Sequence, residues 1–189
     1  MWTHALNTSV NDNLFVEPTA QLAANPAVEL VALTLTDVSQ MAQLESMAHT
    51  HPMSEGNLAD CFGHLYRVLG LKLSTDSNAN VDADTELVQG LLGFAIVQQI
   101  IDEVTLLDIC LLPSQQGKGY GKLLLNALIA LAKASGAVVL MLEVRESNLA
   151  ARTLYQKAGF IESGRRKGYY PIEGGKEDAI LMDLAITPE

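Results

Sequence analysis

Seven consecutive residues, Gln116-Gly117-Lys118-Gly119-Tyr120-Gly121-Lys122, carry the clearest chemistry in this chain. Glycine at every second position leaves a row of backbone N–H groups unobstructed by side chains. An apolar helix-like run, Leu123 to Ala132, follows at once, so the positive end of a helix dipole would lie behind those amides. Lys118 and Lys122 add whole charges. The combination is a cradle for a phosphate or pyrophosphate. It is not a Walker loop, which needs Ser or Thr after the lysine, where this chain has Gly119. The dinucleotide fingerprint G-x-G-x-x-G is matched imperfectly, although Glu143 stands at roughly the ~20-residue distance of its ribose acid. A glycine-rich turn with solvated lysines is the plainest alternative.

Other reactive residue types form no comparable pattern. Cys61 and Cys110 are far apart and make no metal-ligand spacing with the four histidines, so no metal is expected. His49 and His51 lack a matching pair and are expected at the surface.

The cradle needs a strand before it and a helix after it. Val104 to Leu112 supplies the strand, expected to pair antiparallel with Leu87–Ile100 across Ile101-Asp102-Glu103. Gly136 should stop the helix. Ala137–Val144 is an apolar run broken by one charge, Glu143, as in a strand buried on both faces. Asn148 begins a helix that stops at Gly159. Upstream, Glu29–Thr34 reads as a strand, Thr36-Asp37 caps a helix through Met47, and Ser54 caps another running towards Val68. Ser74–Asp84 reads as a flexible hairpin connection, Phe160-Ile161 as the start of a strand, Arg165–Pro171 as a loop and Asp178–Leu184 as the last strand. The pattern is a single α/β domain with a mixed sheet, residues 29–189, preceded by a loosely attached extension, residues 1–28.

Composition agrees with a globular protein: 49% of residues are apolar and 18% charged. No apolar run approaches the ~20 residues of a membrane span, and the N-terminus lacks the basic and apolar segments of a secretory signal. A cytoplasmic protein without membrane partners is expected. The net charge of −10 is uneven: residues 1–117 carry −12 and residues 118–189 carry +2. The C-terminal part suits an anionic cofactor, whereas the N-terminal part would repel nucleic acid and attract a cationic partner.

Several separated motifs together resemble the GCN5-related N-acetyltransferase (GNAT) superfamily: Gln116-x-x-Gly119-x-Gly121 after a strand, then Asn148-x-x-Ala151-x-x-x-Tyr155-x-x-x-Gly159-Phe160. Within it, Leu142–Asn148, Arg165-Arg166-x-x-Tyr169-Tyr170-Pro171, Glu177–Ile180 and Pro52-x-Ser54-Glu55 resemble the bacterial ribosomal-protein-alanine N-acetyltransferases. The resemblance implies a GNAT fold, a mixed and mostly antiparallel sheet flanked by helices. It implies acetyl-CoA as cosubstrate, its pyrophosphate on Gln116, Gly117, Lys118, Gly119, Tyr120, Gly121 and Lys122. Its pantetheine would lie along the backbone of Ile109, Cys110 and Leu111 and against Asn148. The implied acceptor is the N-terminal alanine of a small-subunit ribosomal protein, a basic peptide, met by a monomeric enzyme.

The same resemblance makes Glu143 the general base and Tyr155 the general acid. An α-ammonium has a pKa of about 8 and must lose a proton before it attacks, and a carboxylate raised by burial can take it. A phenol can then protonate the departing thiolate. Direct transfer in a ternary complex is expected, with Cys110 an inert thiol in an apolar strand. The acidic surface, including Glu45, Glu55 and Asp60, and the Tyr169-Tyr170 loop would receive the peptide. The chain departs from the family in its extension, its 74–84 segment, and in Met53, Asp108 and Cys110 where Trp, Asn and Ala are usual. Other amine acceptors (a protein lysine, a polyamine, an aminoglycoside) or a non-catalytic acetyl-CoA sensor are the competing readings.

Overall fold

The computed structural model describes residues 27–74 and 82–187. Most of the expected extension and of the 74–84 connection lies outside the described residues. Seven strands form one sheet: β1 (Val28–Ala32), β2 (Tyr66–Leu73), β3 (Leu91–Ile100), β4 (Glu103–Leu111), β5 (Val139–Arg145), β6 (Ile161–Ile172) and β7 (Gly175–Ala185). Their order is β1-β2-β3-β4-β5-β7-β6. Every pair is antiparallel except β4–β5, which is parallel. Among the described residues five α-helices flank it: α1 (Val38–Ala48), α2 (Glu55–Asp60), α3 (Ala83–Leu87), α4 (Tyr120–Ala134) and α5 (Leu149–Lys157). Among the described residues no helix is long and apolar enough to cross a membrane.

Two cores sandwich the sheet. On one face α4 buries Leu124, Leu125, Leu128, Leu131 and Ala132, the i, i+1, i+4, i+7, i+8 face of a 3.6-residue period, against Val104, Leu106, Leu140 and Leu142. Tyr155 of α5 and Phe160 close that core, their ring centroids 5.7 Å apart. On the other face α1 and α2 place Met41, Leu44 and Leu58 on Phe94, Ile96, Cys110 and Leu112. Caps fix the helix ends. Ser54 accepts from the Asn57 N–H at 3.2 Å, as expected, and Asn148 from the Ala151 N–H at 3.1 Å.

Four local expectations need correction. The helix capped by Ser54 ends at Asp60, and Tyr66–Leu73 is a strand between β1 and β3, because its side chains alternate between the two cores. Leu87 belongs to α3, whose cap Asp82 accepts from the Thr85 N–H at 2.8 Å; β3 starts at Leu91. Arg165–Pro171 is not a loop but part of β6, paired with β7 and bulged between Arg166 and Tyr170. Finally, β5 is fully buried on one face only. Leu140, Leu142 and Val144 face the core, while Met141, Glu143 and Arg145 are half-buried on the other face.

The feature that opens a site is an extra residue in β4. Ile96 pairs with Asp108 but Val97 pairs with Leu106, leaving Leu107 as a bulge. The bulge reverses the alternation of β4. Val104 and Leu106 pack towards α4, whereas beyond it Cys110 packs towards α1. Pairing between β4 and β5 ends at Leu106↔Leu142, so the two strands part beyond that point.

Candidate active site

Two cavities lie along the parting of β4 and β5. One, of about 570 Å³, runs between β4 and α5 and is lined by Ile109, Leu111, Gln116, Gly117, Gly119, Gly121, Lys122, Leu154 and Lys157. The other, of about 340 Å³, is lined by Glu45, Met53, Asp108, Glu143, Arg145 and Tyr170. They meet, because His49, Ile109, Asn148 and Tyr155 line both.

The glycine loop borders the larger cavity. Gly117 and Gly119 have φ of +75° and +89°, the left-handed region, and Gly119 is the N-cap of α4. A Cβ built on either would meet nothing within 4 Å, so the space above these backbones is open. At Gly121 a Cβ would sit 3.4 Å from Leu111 and Leu154, which lets α4 approach β4 closely. Lys122 faces the cavity, and Lys157, which sequence reasoning missed, supplies a second cation from α5. Lys118 instead donates to Gln115 Oε1 at 2.8 Å, and the Gln116 side chain donates to Leu111 O at 3.3 Å. Tyr120 opens α4 and packs partly on the core. Ile109 and Leu111 line the cavity, while the Cys110 side chain is buried against α1.

Glu143 and Tyr155 approach the junction from two elements. Tyr155 is 5% exposed, and burial, with Asp108 and Tyr170 nearby, pushes its phenol well up. It therefore holds its proton throughout the neutral range. Glu143 lines the smaller cavity and accepts an ion pair from Arg166 of β6 at 2.9 Å. Arg145 stacks over Tyr170 at 4.3 Å and pairs with Glu177 at 2.7 Å, which holds that carboxylate below its usual range. Tyr169 and Tyr170 meet edge to face at 5.0 Å. They stand on the bulged strand rather than on a loop.

The largest departure from expectation is Glu45. It is 2% exposed, lines the smaller cavity, and lies beside Asp108 and Cys110; it is not part of the acidic surface. Its Oε2 accepts from the Met53 N–H at 3.0 Å, and its Oε1 is 3.5 Å from His49 Nε2. Burial, then the Glu45 carboxylate, pushes Asp108 up to about 8. The same two causes push the Cys110 thiol far up. Glu45, His49 and Cys110 bring an oxygen, a nitrogen and a sulfur within 4.8 Å of one another. Burial thus keeps the Cys110 thiol in its protonated, weakly nucleophilic form. Glu45 and Asp108 are 63 residues apart in the chain, with no local pattern to announce them.

A half-parted parallel pair with a glycine-rich helix entrance beside it can hold an anionic ligand against the open edge of β4. Residues 59–160 match the acetyltransferase (GNAT) family. This chain belongs to that family, and its seven-stranded sheet with flanking helices is the GNAT fold. It is 44% identical over 147 residues to the ribosomal protein bS18-alanine N-acetyltransferase of Haemophilus influenzae, a match covering 77% of this chain and 90% of that protein. The enzyme of the same name from Escherichia coli (strain K12) is 38% identical over 156 residues, 82% of this chain and 96% of that protein. The crystal structure of the ribosomal-protein-S18-alanine N-acetyltransferase from Escherichia coli superimposes with a TM-score of 0.73 at 36% identity, covering 86% of this chain and 96% of that one.

Proposed function

We propose that this chain is a cytoplasmic, monomeric enzyme that moves acetyl from acetyl-CoA to the α-amine of an N-terminal alanine on a small-subunit ribosomal protein. The observation that carries the reading is the meeting of the two cavities at Tyr155 and Asn148, with Glu143 on the far side from the glycine loop. The acceptor assignment is supported by relatives that share a name and are matched over 90% and 96% of their length.

The larger cavity fits coenzyme A. Open space above Gly117 and Gly119, the α4 N-terminus and the Lys122 and Lys157 cations suit a pyrophosphate. Ile109, Cys110 and Leu111 offer backbone groups on the side where pairing with β5 has ended, which suits the pantetheine amides. Bound there, acetyl-CoA supplies a thioester carbonyl and a thiol leaving group.

In the smaller cavity Glu143 takes the proton that the α-ammonium must lose, directly or through one water. Arg166 pairs with Glu143 at 2.9 Å until the incoming cation takes its place as counter-ion. Tyr155, holding its proton, delivers it to the leaving sulfur. The backbone of β4 beside Ile109 stabilises charge on the carbonyl oxygen. Cys110 takes no part, its side chain being buried against α1.

A thiol-release assay tests this. Acetyl-CoA is mixed in turn with a peptide beginning Ala-Arg, a peptide whose only free amine is a lysine ε-amine, spermidine and kanamycin. Release with the Ala-Arg peptide alone is expected. Release with a different acceptor would move the activity elsewhere, and cofactor binding without release would make the chain a sensor.

A further inference from the structure

One wall of the acceptor cavity holds two buried acids that the transfer steps above leave unused. Glu45 on α1 and Asp108 on β4 both line it. Glu45 Oε1 and Asp108 Oδ2 are buried, and neither has a hydrogen-bond partner. After burial, Glu45 is the group that acts most strongly on the Asp108 carboxyl. Among the described ion pairs Glu45 has one partner, the half-exposed His49 at 3.5 Å. Two ionised carboxylates placed so would repel each other, and each orphaned oxygen would lose its hydration without compensation. A single proton removes both defects, because a protonated Asp108 becomes a donor to Glu45.

We infer that Asp108 and Glu45 share one proton, and that this O–H···O bond fixes the α1 wall of the acceptor cavity, making Asp108 a positioning residue for the amine. The second half of the inference rests on the acetyl-transfer reading; the first does not. Glu45 is the hub of that wall. Its other oxygen holds the Met53 N–H, and His49 lies one helical turn further along α1. Losing the shared proton places a second negative charge against Glu45 and pushes β4 away from α1, which loosens Met53 and His49 beside the amine.

The titratable and charged groups around Asp108 are Glu45 and His49 from α1, His51 just beyond α1, Cys61 just beyond α2, Cys110 on β4 itself, Glu143 and Arg145 from β5, Tyr155 from α5 and Tyr170 from β6. Arg145 is committed to Glu177 at 2.7 Å and Arg166 to Glu143 at 2.9 Å. With Arg145 committed to Glu177, the group on this list that pairs with Glu45 is the half-exposed His49 at 3.5 Å. With Asp108 at about 8, the shared proton is kept at neutral pH and lost in the alkaline range.

Asparagine is a donor that does not titrate, so Asp108→Asn should preserve the bond and Asp108→Ala should break it. The first measurement needs no substrate. An infrared difference spectrum of wild type against D108N should show a protonated-carboxyl band that fades with a midpoint of about 8. The second is KM for the Ala-Arg peptide, taken as the ratio of wild type to D108N so that titration of the peptide amine cancels. At neutral pH the ratio should stay near one. One unit above the midpoint about a tenth of Asp108 keeps its proton, so the ratio should rise about tenfold while the kcat ratio changes little. D108A should show the raised KM at every pH. Absence of the carboxyl band, or matching KM profiles for wild type and D108N, would overturn the inference. Should no peptide be acetylated at all, the function fails while the infrared band still decides the shared proton.

Discussion

At the scale of single residues, the division of proton work proposed for Glu143 and Tyr155 rests on their different surroundings. Glu143 is half-buried against a guanidinium, whereas Tyr155 is sealed in the core with only its cavity edge open. Glu143→Gln and Tyr155→Phe are each expected to lower kcat by roughly 10²–10⁴-fold with little change in acetyl-CoA binding, measured by steady-state kinetics and calorimetry. Asp108 makes a separate prediction about stability. Its folded pKa, about 8, lies above the ordinary 3.8 of an unfolded Asp, so the folded state keeps a proton that the unfolded state releases. The stabilising contribution of that proton is complete below the unfolded pKa and is lost as pH climbs through the folded one. Each pH unit across this window costs up to about 1.4 kcal/mol. Asp108→Asn has nothing to titrate, so its Tm should exceed that of wild type by a margin that widens from pH 5 to pH 8, followed by thermal melts. Glu143 and Tyr155 could be picked out in the chain because each sits in a motif. Asp108 and Glu45 could not, since their partnership exists only after β4 bulges and α1 docks on it.

At the scale of elements, the β4 bulge and the β3–β4 pairing build the cleft. Gly93 on β3 allows that pairing: a Cβ there would lie 2.4 Å from a Leu111 methyl and 2.8 Å from the Cys110 carbonyl oxygen. Gly93→Ala must therefore pry the two strands apart beside Ile109–Leu111. A loss of about 1–3 kcal/mol is expected in denaturant melts, together with weaker acetyl-CoA binding. Elements whose signal is local could be read from the chain. The α4 helix runs from Gly119 to a stop at Gly136, and β3 and β4 turn at Ile101-Asp102. β6 could not be read so, because it is an edge strand with one partner and mostly exposed side chains. Its Arg165-Arg166-Lys167 run shows no apolar alternation, and the bulge before Tyr170 hides the period further. The short α2 was overrun for a related reason: Leu58, Phe62 and Leu65 sustain a helical spacing past the point where the chain turns into β2.

At the scale of the whole molecule, charge and domain extent bear on function. Residues 1–117 carry the excess of acid, and the cations that line the larger cavity, Lys122 and Lys157, come from the remainder. Relatives are matched over 90% and 96% of their length by 77% and 82% of this chain, so the shared fold leaves about a fifth of it unmatched. The described sheet begins at Val28, and removal of residues 1–26 is expected to leave Tm within a few degrees and peptide acetylation intact, checked on the shortened chain. The central claim concerns which amine receives the acetyl group. Incubation with acetyl-CoA and an Ala-Arg peptide that also contains lysine, followed by fragmentation mass spectrometry, locates the added group. The account predicts a single acetyl on the alanine α-nitrogen. An acetyl on the lysine side chain, or none on a peptide that the enzyme binds together with acetyl-CoA, would contradict it.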